Sequence, residues 1–358
     1  MGKQMTPQRV INTAIIGYGN SGKNLHMPLI ESLGSYNLCA IATRKKSRLK
    51  SIPSHCSHLS VDEVMAEPDI QLIIVATPND SHFELAKQAL TAGKHVVVEK
   101  PLALKSAQAK ELTAIAKEKN LVLATFHNRL WDCDFLAIKA LVNNQQLGKI
   151  HSYAARVDRF WPEVVDNWRN NKEYGGATWE LAPNLVMQSL YLFGEPHSVF
   201  ADISTQRIDA DAPDSFYIRL NYHDNLCVEL RSSSLVKHSG PRFVIHGDKG
   251  SYIKQGIDPQ HSQLNNGILP DNKKYGKEAI EDWGSLYSAS NANEEEALSP
   301  SPKGDYPLFY EKLHLAITAQ SALPVDNDCA VEVVQIIEAA FDSNKHRKVI
   351  PLQFTATA

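Results

Sequence analysis

Through about the first 125 residues, short apolar runs alternate with amphipathic stretches. Residues 11–17, 38–43, 70–76, 96–98 and 121–126 have the length and apolar content of buried strands. Between them, residues 25–33, 61–65, 81–92 and 107–119 carry apolar positions at helical spacing. Pro28 falls in the first turns of its helix, where a missing N–H is tolerated, and Gly93 and Asn120 stand where helices stop. Strands alternating with helices predict a parallel sheet with right-handed crossovers.

The pattern then changes. After a helix at about 135–143, strand-like segments dominate: 150–160, 199–208, 214–222, 226–235 and 243–247. Phe216, Ile218, Leu220 and Tyr222 alternate with Tyr217, Arg219 and Asn221, so one face is buried and the other more polar. His223-Asp224-Asn225 and Gly247-Asp248-Lys249-Gly250 read as hairpin turns. Residues 262–304 are polar and punctuated by Gly, Pro and Ser, and are expected to form a long loop. Two helices follow, at about 306–320 and 329–343. The expected fold class is α/β: a parallel-sheet domain over 1–126, then an α+β domain over 127–358 with a large, mainly antiparallel open sheet. The C-terminal helices are candidates to pack back on the first domain. An open sheet with apolar side chains on both faces needs two covers, and one chain supplies helices for only one. A homodimer or a dimer of dimers is therefore expected, with Tyr153, Phe216, Tyr217 and Val228 as candidates for exposed or interface positions.

Composition narrows the class. A chain of 358 residues is too long for one ordinary core. Lys and Arg number 37 against 40 Asp and Glu, with no basic stretch, which excludes a nucleic-acid partner. Apolar runs such as 72–76 are strand length, far short of a membrane span. The start, Met1 to Val10, is polar and lacks the apolar core of a signal peptide. The five cysteines are odd in number and form no C-x-x-C pair, which points to reduced thiols, a cytoplasmic setting and no metal site. The partners left are a small molecule and further copies of the chain.

Gly17-Tyr18-Gly19-Asn20-Ser21-Gly22 is G-x-G-x-x-G between the first predicted strand and the first helix. In that context the glycines permit a tight turn and let backbone approach a pyrophosphate, which the helix N-terminus meets with free N–H groups. This is the fingerprint of a Rossmann dinucleotide domain. After the second strand an NAD enzyme usually places Asp or Glu for the ribose hydroxyls. Here the residues are Thr43-Arg44-Lys45-Lys46. Guanidinium and ammonium groups suit a 2′-phosphate, so NADP(H) is favoured and NAD(H) remains possible. The bland alternative is that Lys45, Lys46 and Arg48 are a solvated helix start.

Thr77-Pro78-Asn79-Asp80-Ser81-His82, then Glu99-Lys100-Pro101, follow this fingerprint. Phe126-His127-Asn128-Arg129, Trp168-Arg169 and Gly175-Gly176-Ala177-Thr178-Trp179-Glu180-Leu181-Ala182-Pro183-Asn184 come later. The ordered set, with Tyr191-Leu192-Phe193-Gly194-Glu195-Pro196 and the C-terminal helices, resembles the Gfo/Idh/MocA family (glucose–fructose oxidoreductase, inositol dehydrogenase, rhizopine catabolism) over nearly the whole chain. The resemblance implies that Thr77, Pro78, Asn79 and His82 sit beside the cofactor. It also implies that Lys100 reaches between nicotinamide and substrate, with Glu99 and Pro101 fixing the turn. It gives the sheet of the second domain the subunit interface.

Chemistry supports Lys100 independently. Hydride transfer from a secondary alcohol needs the hydroxyl proton removed as C–H breaks, and a partly buried lysine near a cationic ring has a lowered pKa. As a cation it polarises a carbonyl in the reverse direction. The family commonly carries an aspartate and, four residues on, a histidine on one helix. Here those positions are Glu180 and Asn184, on one helical face at i, i+4. Asparagine hydrogen-bonds a hydroxyl but exchanges no proton near neutral pH. Lys100 then acts alone, or His127 substitutes; a strand-end histidine satisfied by backbone is the open alternative. His127, Asn128, Trp168 and Arg169 are candidate substrate contacts, and an ordinary packed Trp beside a surface Arg is equally open. The expected activity is an NADP-preferring dehydrogenase or reductase for a polyol, sugar, inositol or related hydroxy/oxo compound. The competing readings are a cofactor-binding sensor that lost catalysis, and a glycoside-cleaving enzyme using transient oxidation.

Overall fold

The computed structural model describes residues 9–288 and 296–354. The first eight residues of the polar start, Met1 to Val10, lie outside them, as do residues 289–295 of the expected 262–304 loop. The first sheet comprises β1 (Ile11–Ile16), β2 (Tyr36–Ala42), β3 (Ser57–His58), β4 (Leu72–Val75), β5 (His95–Glu99) and β6 (Leu123–Phe126). Every pairing is parallel, in the order β3-β2-β1-β4-β5-β6. All of β4 is buried, as expected for a sheet with helices on both faces. The helices are α1 (Met27–Glu31), α2 (Val61–Ala66), α3 (His82–Thr91) and α4 (Ser106–Glu118). The capping box expected of Ser-x-x-Glu forms at α2, where Ser60 Oγ accepts from Glu63 N and Glu63 answers to Ser60 N. The progression of strand order reverses between β1 and β4, so a crevice opens at the C-terminal strand ends there.

The first helix differs from its expected form. A π-helical segment, Gly22–His26, precedes α1, so the helix begins earlier than the apolar spacing from Leu25 indicates. Extra backbone in a π turn is a local irregularity that periodicity does not report.

The second domain opens on α5 (Cys133–Asn143) and β7 (Ile150–Arg156), followed by α6 (Gly176–Phe193). β8 (Ser198–Ser204), β9 (Ser215–Asn221), β10 (Cys227–Ser233), β11 (Phe243–Gly247) and β12 (Gly250–Lys254) follow. Then come α7 (Gln260–Asn265), β13 (Gly284–Ser288), β14 (Ala297–Ser299), α8 (Pro307–Ala319), α9 (Asn327–His346) and β15 (Ile350–Pro351). The nine-stranded order is β14-β13-β12-β11-β7-β10-β9-β8-β15, antiparallel except for the β7–β10 pair. Both predicted hairpin turns are present, with Asp224 and Asn225 at positive φ (65° and 64°) as the tight turn requires. The expected loop at 262–304 is corrected: α7 runs into it, and β13 and β14 extend the sheet from within it. Edge strands are short and polar, so they read as loop.

One expectation about faces is overturned. Tyr153, Phe216 and Val228 are buried within the chain, on the sheet face toward α6 and α9. Only Tyr217 of that group lies on the open face. There the row across the sheet runs Phe200, Arg219, Glu229, Ala154, Val244, Ile253. The C-terminal helices do contact the first domain. Tyr36 Oη donates to the Tyr310 carbonyl of α8 (2.7 Å), and Ser106 N donates to Glu338 of α9 (3.1 Å). α9 also packs on α6 and β8.

Candidate active site

Five strand ends deliver the expected residues to one crevice. Gly17 follows β1, Thr43 and Arg44 follow β2, Thr77 follows β4, Glu99 and Lys100 end β5, and His127 follows β6. The glycines divide their labour. A Cβ on Gly17 (φ +101°) would meet Ala76 O at 2.3 Å, and one on Gly22 would meet Gly17 O at 2.0 Å. At Gly19 nothing lies within 4 Å. Two glycines are thus demanded by packing, while the third leaves open space over the loop, the room a pyrophosphate needs. The residues present fit a dinucleotide. Tyr18 is buried and holds the loop from below, its hydroxyl donating to Ser51 O (3.0 Å). Asn20 is exposed and accepts from Asn24 (2.9 Å). Arg44 is exposed, and Arg48, read above only as part of a solvated start, donates to Tyr18 O (2.9 Å).

Around Thr77 the residues serve different ends. Ser81 Oγ donates to Thr77 Oγ1 (2.7 Å), and Asn79 Nδ2 donates to Tyr174 O of the second domain (2.8 Å). Pro78 precedes this turn at extended φ/ψ. His82 is fully buried, with its ring nitrogens on Pro101 O (2.8 Å) and Thr77 O (3.0 Å). It offers no surface to a cofactor, so the expectation of a cofactor contact there is corrected: His82 ties the Thr77 turn to the Lys100 turn.

Glu99 is the node between loop and lysine. Its Oε1 accepts from Ser21 and meets His26 Nε2 at 3.1 Å, and its Oε2 accepts from Lys100 N (3.2 Å). His26 Nδ1 continues to Tyr310 Oη (2.5 Å). Burial pushes the Glu99 carboxyl up, but His26, Lys100 and Ser21 outweigh it and hold it at about 2. Lys100 Nζ donates to the backbone carbonyl of Glu180. That carbonyl lies beside a weakened turn, because Pro183 supplies no N–H to its partner four residues back. Burial lowers the Lys100 pKa, with Glu99 and Glu180 opposing.

The Glu180 carboxylate is held by two arginines, while its backbone carbonyl receives the lysine. Arg159 Nη1 lies 3.2 Å from Oε1 and Arg169 Nε 3.3 Å from Oε2. Burial raises its pKa, but Arg159, Lys100 and Arg169 together bring it below the ordinary value. The ionised form of Glu180 is therefore favoured, held between the two guanidinium groups. Trp161 and Trp168 stack on the Arg159 and Arg169 guanidiniums at 4.3 and 4.5 Å. Asn184 Oδ1 and His127 Nδ1 are buried without hydrogen-bond partners among the described residues. Burial first, and then Lys100, push the His127 imidazole down to about 3. Asn128 is buried in the turn that carries Arg129, whose Nη1 pairs with Asp132 (3.0 Å). Orphaned polar atoms beside a low-pKa lysine are what a hydroxylated substrate would satisfy. Sequence reading missed Arg48, Arg159 and His261. Arg159 sat inside a predicted strand and His261 at the edge of a predicted loop. The signal for Arg159 was an arginine beside exposed aromatics, Phe160 and Trp161.

A dinucleotide fold with an ionisable lysine at its crevice defines an NAD(P)-binding oxidoreductase, and comparison with known proteins agrees. The profile of the oxidoreductase family, NAD-binding Rossmann fold, matches residues 11–127, and that of its C-terminal α/β domain matches 139–352. The chain belongs to the Gfo/Idh/MocA oxidoreductase family. It is 35% identical over 345 residues to scyllo-inositol 2-dehydrogenase (NADP(+)) of Bacillus subtilis (96% of each chain). It is 37% identical over 357 residues to an uncharacterized oxidoreductase, YdgJ, of Escherichia coli (96% and 99%). A solved oxidoreductase structure from Bacillus subtilis superposes with a TM-score of 0.93 at 34% identity, covering 98% of this chain and all (100%) of the other. Among the described residues no helix is long and apolar enough to cross a membrane.

Proposed function

We propose that this chain is an NADP(H)-preferring dehydrogenase or reductase that moves a hydride between nicotinamide and a carbinol carbon of a polyol, sugar or inositol. The observation that carries this is Lys100, half-buried at the β5 end against α6, with the orphaned His127 and Asn184 atoms nearby. When bound, the dinucleotide supplies the hydride acceptor or donor. Lys100, its pKa lowered by burial, takes the hydroxyl proton in oxidation and returns it in reduction. Arg159 and Arg169 fix Glu180, and Glu180's carbonyl aims the lysine. In this reading residues 1–126 hold the cofactor and 127–358 form the substrate pocket, in a cytoplasmic protein with free thiols. The relative's name, with its CH–OH substrate and NADP(+), supports both substrate class and cofactor.

The expected result is reduction of NADP by at least one member of a polyol, inositol and sugar panel, and tighter binding of NADPH than NADH. Arg44→Ala should weaken NADPH about tenfold, as loss of one charge-assisted phosphate contact of about 1.4 kcal/mol, and leave NADH unchanged. NADH bound tenfold more tightly by the native protein overturns the cofactor assignment.

The reading also includes a homodimer or dimer of dimers built on the open sheet face. Helices cover the other face, while Ala154, Val244 and Ile253 form an apolar patch on this one beside Arg219 and Glu229. Light scattering at micromolar concentration should give at least a dimer mass; a monomer mass refutes it.

A further inference from the structure

We propose that His261 is a substrate-contacting, specificity-determining residue, an imidazole presented to the reaction crevice by α7 to hydrogen-bond a substrate hydroxyl. The proposal rests on the oxidoreductase reading above and adds a residue that neither motif nor relative assigns.

The placement comes from how α7 is pinned. Gln260 is fully buried; its Nε2 donates to Trp131 O (3.0 Å) and Asp258 Oδ2 (3.1 Å), and its Oε1 accepts from Tyr306 N (2.8 Å). At the other end Asn24 Nδ2 donates to Asn265 Oδ1 (3.3 Å), and α7 packs on the π-helical segment after the glycine loop. The helix thus spans from the turn carrying Arg129 to the first helix of the cofactor domain. His261 stands between these anchors, half-buried, and its ring has no hydrogen-bond partner among the described residues.

His261 and Asn265 stand at i, i+4 on one face of α7, and Asn265 meets Asn24 of the segment after the glycine loop, so that face looks onto the crevice. Four charged groups act on His261 from around it. They are Arg129, Glu99, Arg159 and Lys100, brought by the ends of β5, β6 and β7. Burial first, then the three cations, hold its pKa at about 4, so it is neutral at physiological pH. Protonation would add a fourth positive charge beside Arg129, Arg159 and Lys100, so His261 is a poor base here. A neutral imidazole does offer one donor and one acceptor nitrogen, the pair an alcohol matches. Asn184 on α6 offers a second such pair, with Oδ1 unpaired. Two polar contacts beside one lysine select a compound with hydroxyls on neighbouring carbons.

The test compares native protein, His261→Ala and His261→Gln in the NADP(H) complex. Scyllo-inositol, myo-inositol and glucose are the probes, and both turnover and the quenching of Trp161 and Trp168 fluorescence are read. His261→Ala should raise KM and the fluorescence Kd of the best probe at least about tenfold, with kcat within about threefold and NADPH affinity within about twofold. His261→Gln should recover most of that loss, which a packing defect would not allow. Unchanged KM and Kd in His261→Ala overturn the assignment. A native protein that binds a probe but oxidises none overturns the redox reading, while the Kd comparison still decides His261. A native protein that neither binds nor oxidises any probe overturns both.

Discussion

Lys100→Met is expected to lower kcat/KM by about a thousandfold or more while NADPH affinity stays within a few-fold. Methionine keeps the length of the side chain and removes the ammonium. Positioned proton transfer contributes roughly 10²–10⁴-fold, and the charge that polarises the carbonyl in reduction is lost as well. No neighbour replaces it. His127 is held down to about 3 and stays a neutral, weakly basic imidazole at neutral pH, Glu180 is kept ionised by Arg159 and Arg169, and Asn184 does not titrate. The cofactor is gripped elsewhere, at the glycine loop and the β2 end. Asn184→Ala should cost less, about 1–3 kcal/mol if one hydrogen bond to substrate is lost. Asn184→His should raise polyol activity if the site merely lost its histidine, and lower activity on the true substrate if Glu180 and Asn184 are fitted to another compound. The measurement is kcat/KM for the native protein and these three variants. Near-native turnover by Lys100→Met would move proton transfer to His127 or to a different reaction.

The second large effect separates two glycines of one motif. Gly17→Ala should destabilise the protein by about 2–4 kcal/mol through left-handed backbone strain and a clash with the Ala76 carbonyl. Its melting temperature should fall by about 5–10 °C. Gly19→Ala should leave melting within about 1 °C, because its Cβ meets nothing, yet weaken NADPH about tenfold or more by filling space above the loop. Calorimetry and NADPH titration read the two outcomes. Native NADPH affinity in Gly19→Ala would take the pyrophosphate away from this loop.

These effects follow from residues that were legible to different degrees. The parallel sheet was readable because each strand is a short apolar run between punctuated helices, and the glycine fingerprint fell at the first such junction. β13 and β14 were not, since Gly284, Ser285 and Ser288 lack the alternation of a half-buried strand. Lys100 was legible as a candidate through Glu99 and Pro101 beside it, and it falls at the end of β5. His82 was legible too, but its neighbours were not, because a motif position says nothing about which carbonyls close on a ring. Arg159, 21 residues before Glu180, was invisible as its partner, since pairing across a fold leaves no local pattern. His261 was hidden for the same reason.

The C-terminal helices carry a consequence for anyone recombining relatives of this protein. α9 lies on α4 and β6 with one side and on α6 and β8 with the other, and Tyr310 of α8 closes the hydrogen-bonded chain that runs through His26 and Glu99 to Ser21. The inheritable unit of cofactor binding is therefore not the N-terminal third of the gene. A chimera cut near residue 126 keeps the glycine loop with its own His26 and Glu99, but the tyrosine that closes their chain, Tyr310, comes from the other parent. Grafts that exchange pocket walls while keeping both α8 and α9 with the first domain preserve the native seam, and that seam, folded rather than linear, is where divergence of substrate choice leaves the cofactor grip untouched.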